Sequence, residues 1–253
     1  MKLGVIGVGH LSTAILKGLV RAAFIPAGDI VLSPRGHSND LSKQFGFDVA
    51  ESNANLVEDC DTILLAVRPK DAVSAVNGLP WRSDHVLMTA CAGVSTSELL
   101  PVLAGAKVVR IMPTIASEFG ESATLVFPEM PQLQPFFSAL GKSYVLDDED
   151  QFEVGTVSAA IFGWAQALIM NSNDWAAKNG MNADQARQLL AQTFISAGTI
   201  IAEKDQPVAE ILKSLATPGG ITEAGLQHLE NTQTIRAWEE ASEIVLKKLG
   251  KTA

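Results

Sequence analysis

The sequence predicts an α/β chain: an N-terminal doubly wound, mostly parallel sheet followed by a smaller all-α domain. Three observations predict it. Short continuous apolar runs alternate with helical patterns as far as Val145. A glycine turn stands between the first apolar run and the first helical pattern. Beyond the acidic run Asp147-Asp148-Glu149-Asp150 the chain carries only helical patterns. That run is the clearest break in composition and divides the chain into domains 1–147 and 148–253.

The chain opens MKLGVIGVGHLSTAILKGLV. Leu3 to Ile6 suits a buried parallel strand, and Leu11, Ala14, Ile15 and Leu19 share one face of the helix that follows. Between them, Gly7 permits a tight turn and Gly9 removes the Cβ that would keep a pyrophosphate off the backbone. Ser12 stands where only a small residue is needed. Gly7, Val8, Gly9, His10 and Leu11 then present free N–H groups and the positive end of a helix dipole. This is a Rossmann-type arrangement, and the ligand it predicts is a dinucleotide.

Ile30 to Leu32 is the second strand, ending in Ser33-Pro34-Arg35-Gly36-His37-Ser38. An NAD site places an acidic residue here for the ribose 2′-OH. This chain has none, and Ser33, Arg35 and Ser38 suit a 2′-phosphate instead. NADP is the expected cofactor, with NAD as the alternative. Asp48-Val49-Ala50 reads as a short strand and Asn53 to Cys60 as a helix. Thr62 to Val67 reads as a central strand ending in Arg68-Pro69, with a helix from Asp71. Strand Val86–Thr89, a turn through Ala92-Gly93 and a helix from Ser95 to Leu103 follow, then strand Lys107–Met112. Strand Ala123–Phe127, a helix over Pro131–Leu140 and strand Ser143–Val145 close the sheet. Ligands of such sheets bind at the carboxyl ends of the strands, so Ala66, Val67, Arg68, Pro69, Ala92, Gly93, Met112 and Pro113 are the expected cofactor rim.

In the C-terminal half, helices are predicted over Phe152 to about Asn179 and over Asp184–Glu203, capped by Gly180 and Asn182 respectively. Shorter ones cover Val208–Leu215, a stretch from Thr222, and Thr234–Gly250. Long apolar helices in so small a domain point to burial against a second copy, so a homodimer through this half is expected. The segment LATPGGITEAG (215–225) breaks the helical pattern. It is either a sharp turn between helices or a backbone nest that opens a helix toward an anionic substrate.

Composition excludes several classes. With a net charge of −9 and no Lys/Arg cluster, nucleic acid is not an expected partner. No apolar run approaches the roughly 20 residues of a membrane span, and no signal peptide is present, so a cytoplasmic location is expected. Cys60 and Cys91 lack metal-ligand spacing and read as buried thiols, and the four histidines form no ligand pattern. Arg110 is expected in an ion pair or packed at the sheet edge, Trp164 and Phe162 in core packing, and the polar run Asn171–Asp174 at a dimer seam.

Taken in order, GVIGVGHLSTAILKGL, LAVRP (65–69), ACAGV (90–94), VVRIMP (108–113) with GESATLV, and ATPGGITEAGLQHLE (216–230) resemble the pyrroline-5-carboxylate reductase family over nearly the whole chain. The resemblance implies a Rossmann domain, an all-helical dimerisation domain, and NAD(P)H-dependent reduction of a cyclic imine to proline. It implies that Thr217, Gly219, Gly220, Ile221 and Thr222 line the substrate pocket, with Thr222 nearest the reacting nitrogen, and that Ser158 offers a further hydroxyl. Three segments depart from the family pattern toward apolar bulk: Met112-Pro113-Thr114-Ile115-Ala116-Ser117, Ser158–Trp164 with Met170 one helical turn beyond, and Ile221 where a hydroxyl is usual. Two further readings follow from those departures: a reductase of a more apolar imine or carbonyl compound, or a non-catalytic dinucleotide-binding paralogue.

Overall fold

A computed structural model describes residues 1–250. The eight strands are β1 (Leu3–Ile6), β2 (Ile30–Leu32), β3 (Asp48–Val49), β4 (Thr62–Leu65), β5 (Val86–Thr89), β6 (Lys107–Met112), β7 (Ser122–Phe127) and β8 (Gly141–Val145). They form one sheet in the order β3-β2-β1-β4-β5-β6-β7-β8, parallel throughout except for β6 against β7. The helices packed on it are α1 (His10–Arg21), α2 (Ser38–Phe45), α3 (Asn53–Asp59), α4 (Ala72–Val76), α5 (Thr96–Leu99) and α6 (Gln134–Leu140).

The strands are apolar along their length because both faces are covered. Leu3, Val5, Leu64, Met88, Val109 and Ile111 point to one face, where α1 adds Ile15, Leu16 and Leu19 and α6 adds Phe136, Phe137 and Leu140. Ile6, Ile63, Leu65, Leu87 and Val108 point to the other, against Leu56 and Val57 of α3, Val76 of α4 and Leu99 of α5. Each such side chain contributes about 1.5–3 kcal/mol when fully removed from water. The strand order reverses at β1, whose neighbours are β2 and β4. A crevice at such a reversal is where α/β sheets take their ligands.

Several predicted elements differ in extent, most by one to three residues, and three of the differences have a readable cause or consequence. Strand β4 stops at Leu65, two residues short. The helix expected over Ser95–Leu103 is α-helical only to Leu99 and continues as a 3-10 turn over Leu100–Val102. Pro101 lacks the N–H an α-helix would use there. The acidic run at 147–150 is not all connection, because α7 (Glu149–Lys178) begins inside it. Glu149 and Asp150 in a first turn stabilise the helix dipole.

The described residues divide into two compact units, one of Met1–Ala159 together with residues 246–250, the other Ala160–Val245. The second unit is helical: the later part of α7, then α8 (Ala183–Glu203), α9 (Val208–Leu215), α10 (Ile221–Asn231) and most of α11 (Thr234–Lys248). Asn182 caps α8, its side chain accepting from the N–H groups of Asp184 and Gln185. Among its described residues only Ala176, Ala186 and Ile211 are buried. Trp175 is 68 % exposed, Ile195 60 % and Ile244 67 %. A helical unit this poor in core leaves apolar surface that needs cover.

Helix α7 is long and apolar enough to cross a membrane by length and composition, and only 22 % of its most apolar stretch is buried. No unbroken run announces it, because Gly155, Thr156, Ser158, Gly163 and Gln166 are spaced among the apolar residues.

Candidate active site

The glycine turn is built as its residue types demand. Gly7 has φ +94°, and a Cβ there would lie 2.6 Å from the carbonyl oxygen of Ala66 on the neighbouring strand end. Only glycine fits both the left-handed backbone and that approach. Gly9 ends the turn, and the space its Cβ would occupy is open. Ser12 does more than stay small. Its buried hydroxyl donates to Gly7 O at 2.8 Å and accepts from Gly9 N–H at 2.8 Å, pinning the turn to the first turn of α1. The first N–H groups of α1, at His10 and Leu11, have no carbonyl partner within the helix and face the opening above Gly9. Free N–H groups, a helix dipole and a missing Cβ fit a dinucleotide pyrophosphate.

The loop after β2 is tied to this turn. Ser33, 5 % exposed, accepts from Gly7 N–H at 3.3 Å. Ser38, also buried, donates to Ser33 O and Arg35 O at 2.5 and 2.8 Å. The Ser33 hydroxyl thus ties the loop to the glycine turn and that of Ser38 holds the loop's own backbone, and of the three residues expected at a 2′-phosphate only Arg35 is exposed.

The remaining rim residues lie at strand ends as expected. Ala66 and Val67 are half-buried at the end of β4, with Arg68 and Pro69 exposed beyond them. Ala92 and the left-handed Gly93 follow β5, and Leu249 packs against Gly93. Met112 and Pro113 are buried at the end of β6, so only their surroundings, not their side chains, are open to a ligand. Beside them, burial pushes the Cys91 thiol above its ordinary range, against an opposing hydrogen bond with Thr89. The thiol stays protonated and donates to Val67 O at 3.4 Å, which makes it a packing group and no nucleophile.

Arg110 is not at a sheet edge. Strand β6 has β5 and β7 on either side, and the residue is 1 % exposed. Its guanidinium bonds Glu149 at 2.9 Å and Glu153 at 2.5 Å and lies over the Phe152 ring, 4.4 Å from its centre. The expected ion pair exists, doubled and buried, and it fastens the start of α7 to the sheet. Glu149 also accepts from the N–H and hydroxyl of Thr96.

The residues expected at the substrate fall into two groups. Ser158 lies on α7 in the first unit, exposed, and among the described residues its hydroxyl bonds nothing. Thr217, Gly219, Gly220, Ile221 and Thr222 lie together in the second unit, where Gly220 is the residue from which α10 starts. Gly219 has φ +77°, and Gly220 N–H donates to Thr217 O at 2.8 Å. The segment is thus a turn between helices that also opens one of them. Thr222 is exposed in its first turn, and Ile221 is 95 % exposed. Missed by sequence reasoning, Glu223 reaches back so that its carboxylate accepts from Gly219 N–H at 2.7 Å. Trp164 stacks edge-on against Trp238, 5.7 Å between centres, within the helical unit.

Comparison with known proteins agrees with this geometry. Residues 149–251 match the family described as pyrroline-5-carboxylate reductase dimerisation, and residues 2–93 match that described as NADP oxidoreductase, coenzyme F420-dependent. Pyrroline-5-carboxylate reductase 1 of Bacillus spizizenii is 28 % identical, the alignment covering 100 % of this chain and 92 % of that protein. Pyrroline-5-carboxylate reductase of Methanosarcina acetivorans is 27 % identical over 96 % of this chain and 97 % of its own. The fold matches the crystal structure of Plasmodium falciparum pyrroline carboxylate reductase with NADP bound, with a TM-score of 0.88, 24 % identity, and coverage of 98 % of this chain and 97 % of that one. Along its whole length the chain is similar to pyrroline-5-carboxylate reductases.

Proposed function

We propose that this protein is an NADP-dependent reductase of a cyclic imine, converting pyrroline-5-carboxylate to proline. The observation that carries the cofactor half is the opening above Gly9, where the free N–H groups of α1 meet a position with room for a phosphate. No acidic residue stands at the end of β2 to take a ribose 2′-OH, and exposed Arg35 supports the phosphorylated cofactor. NADPH, when bound, supplies the hydride for the C=N carbon. The chain's own groups bind and orient. Gly7 to Leu11 hold the pyrophosphate, the rim from Ala66 to Pro69 and at Ala92-Gly93 flanks the cofactor, and Thr222 offers an unengaged hydroxyl to the imine nitrogen. An imine that arrives protonated needs no strong acid. Domain 1–147 takes the cofactor role and 148–253 the substrate and pairing roles in this reading. The exposed aliphatic face of the helical unit supports a homodimer. Two buried free thiols, Cys60 and Cys91, support the cytoplasm as its compartment.

The test is steady-state turnover of NADPH with pyrroline-5-carboxylate, with proline identified as product and Thr222→Ala measured alongside. Turnover that yields proline and falls in Thr222→Ala supports the proposal. NADPH binding without any turnover sinks it and leaves a dinucleotide-binding role.

One observation favours a second reading, reduction of a less anionic imine. The N–H of Gly219, suited to a substrate carboxylate, already holds the carboxylate of Glu223. A substrate anion would have to displace it. A preference for uncharged 1-pyrroline over the carboxylate, reversed in Glu223→Gln, would establish this reading; equal loss with both substrates would exclude it.

A further inference from the structure

The loop that expects a 2′-phosphate has its hydroxyls turned inward, which leaves its imidazole as the unassigned group. Gly36 pairs with Val8 of the glycine turn, at φ +81°, so close that a Cβ would sit 2.2 Å from Val8 O. The next residue, His37, donates its backbone N–H to the same carbonyl at 2.9 Å. Its ring is exposed and lies nearly parallel to that of His10, 18° apart with centres 5.8 Å apart. His10 is the first residue of α1, immediately after Gly9. Both rings border a cavity of about 440 Å³ between α1 and α2. Lys17, Asp40 and Glu118 also line it, and Lys17 is engaged by Glu118 at 3.0 Å.

From this geometry we infer that His37, seated against His10, is a specificity-determining contact to the 2′-phosphoryl group of the cofactor, beside Arg35. The inference rests on the NADP reading above. Arg35 brings charge on a long, exposed stem, whereas His37 brings a ring N–H donor from a backbone already stitched to the pyrophosphate turn. A donor fixed before binding loses less conformational freedom when it engages. With Ser33 and Ser38 buried, the one holding the glycine turn and the other the loop's own backbone, His37 takes the place that their hydroxyls would otherwise fill. With Glu118 paired to Lys17, Asp40 is the further carboxylate on the same cavity that such an anion must tolerate, which makes the donors at the mouth the more necessary. His10 acts through His37 as a positioning residue.

The experiment is equilibrium binding of NADPH and of NADH to the full-length protein, for the wild type, His37→Leu, His37→Asn and His10→Leu. His37→Leu is expected to weaken NADPH about tenfold, the effect of one hydrogen bond to a charged group, while NADH stays within about twofold. His37→Asn keeps an N–H donor and recovers part of the loss, and His10→Leu shows a smaller NADPH-selective loss. NADH binding reports that each variant is folded. Equal weakening of both cofactors, or no weakening of NADPH, overturns the inference. A wild type that binds NADPH no more tightly than NADH instead defeats the NADP reading, and is read from that protein alone.

Discussion

Replacing Arg110 with Met is the sharpest test of how α7 is held to the sheet. The two carboxylates would not suffer equally. Glu149 is 26 % exposed and keeps two donors from Thr96, so it loses little. Glu153 is buried, and its second oxygen already lacks a partner, so removing the guanidinium strips its remaining hydrogen bond. Leaving one uncompensated buried charge costs about 3–5 kcal/mol, and nearly all of that falls on Glu153. The double variant Arg110→Met/Glu153→Leu removes the stranded charge, and it should return to within about 1–2 kcal/mol of the wild type, the residue being an imperfect repacking around Phe152. Urea unfolding at one fixed protomer concentration measures both, because a dimer's apparent stability shifts with concentration. A single variant that costs under about 1 kcal/mol, or a double variant no better than the single, would refute the reasoning.

Three further outcomes are expected. Gly36→Ala forces a side chain into Val8 O at a positive φ, and should cost about 1–3 kcal/mol in the same unfolding assay while loosening NADPH binding. Burial pushes the Cys60 thiol up to about 11 from an ordinary 9.0, so the stability it lends is full below about 9 and is lost as pH rises toward 11; Cys60→Ala should flatten that alkaline limb in pH-dependent unfolding. Ile195→Glu and Trp175→Glu place charge on exposed apolar positions of the helical unit and should shift the proposed dimer toward monomer in analytical ultracentrifugation, with the far-ultraviolet dichroism of the fold retained.

Much of the fold was legible because its signals are local. Runs such as LGVI, IVL, TILL and VLMT are apolar throughout since both sheet faces are covered, and Gly7 and Gly9 announce the turn between β1 and α1. Boundaries failed where a single residue decides them, as at Pro101, or where acidic residues served a helix start in place of a connection, as at Glu149. The site was legible in its glycines and strand ends. It was not legible in its side-chain partners, which depend on chain segments far apart. Arg110 finds Glu149 and Glu153 some forty residues on, and the hydroxyls of Ser33 and Ser38 turn to backbone groups that no pattern marks. The Glu223 carboxylate on Gly219 N–H has a signal in hindsight: an acidic residue in the first turn of a helix that starts from glycine.

Hydride transfer to an imine carbon is the step proposed for this chain, and isotope transfer reads it directly. NADPH carrying deuterium at the transferable C4 position is supplied with pyrroline-5-carboxylate, and the product is weighed by mass spectrometry. Proline heavier by one deuterium is expected, formed by the wild type and sharply less by Thr222→Ala. Proline without the label, or no reduced product while the cofactor binds, would contradict it.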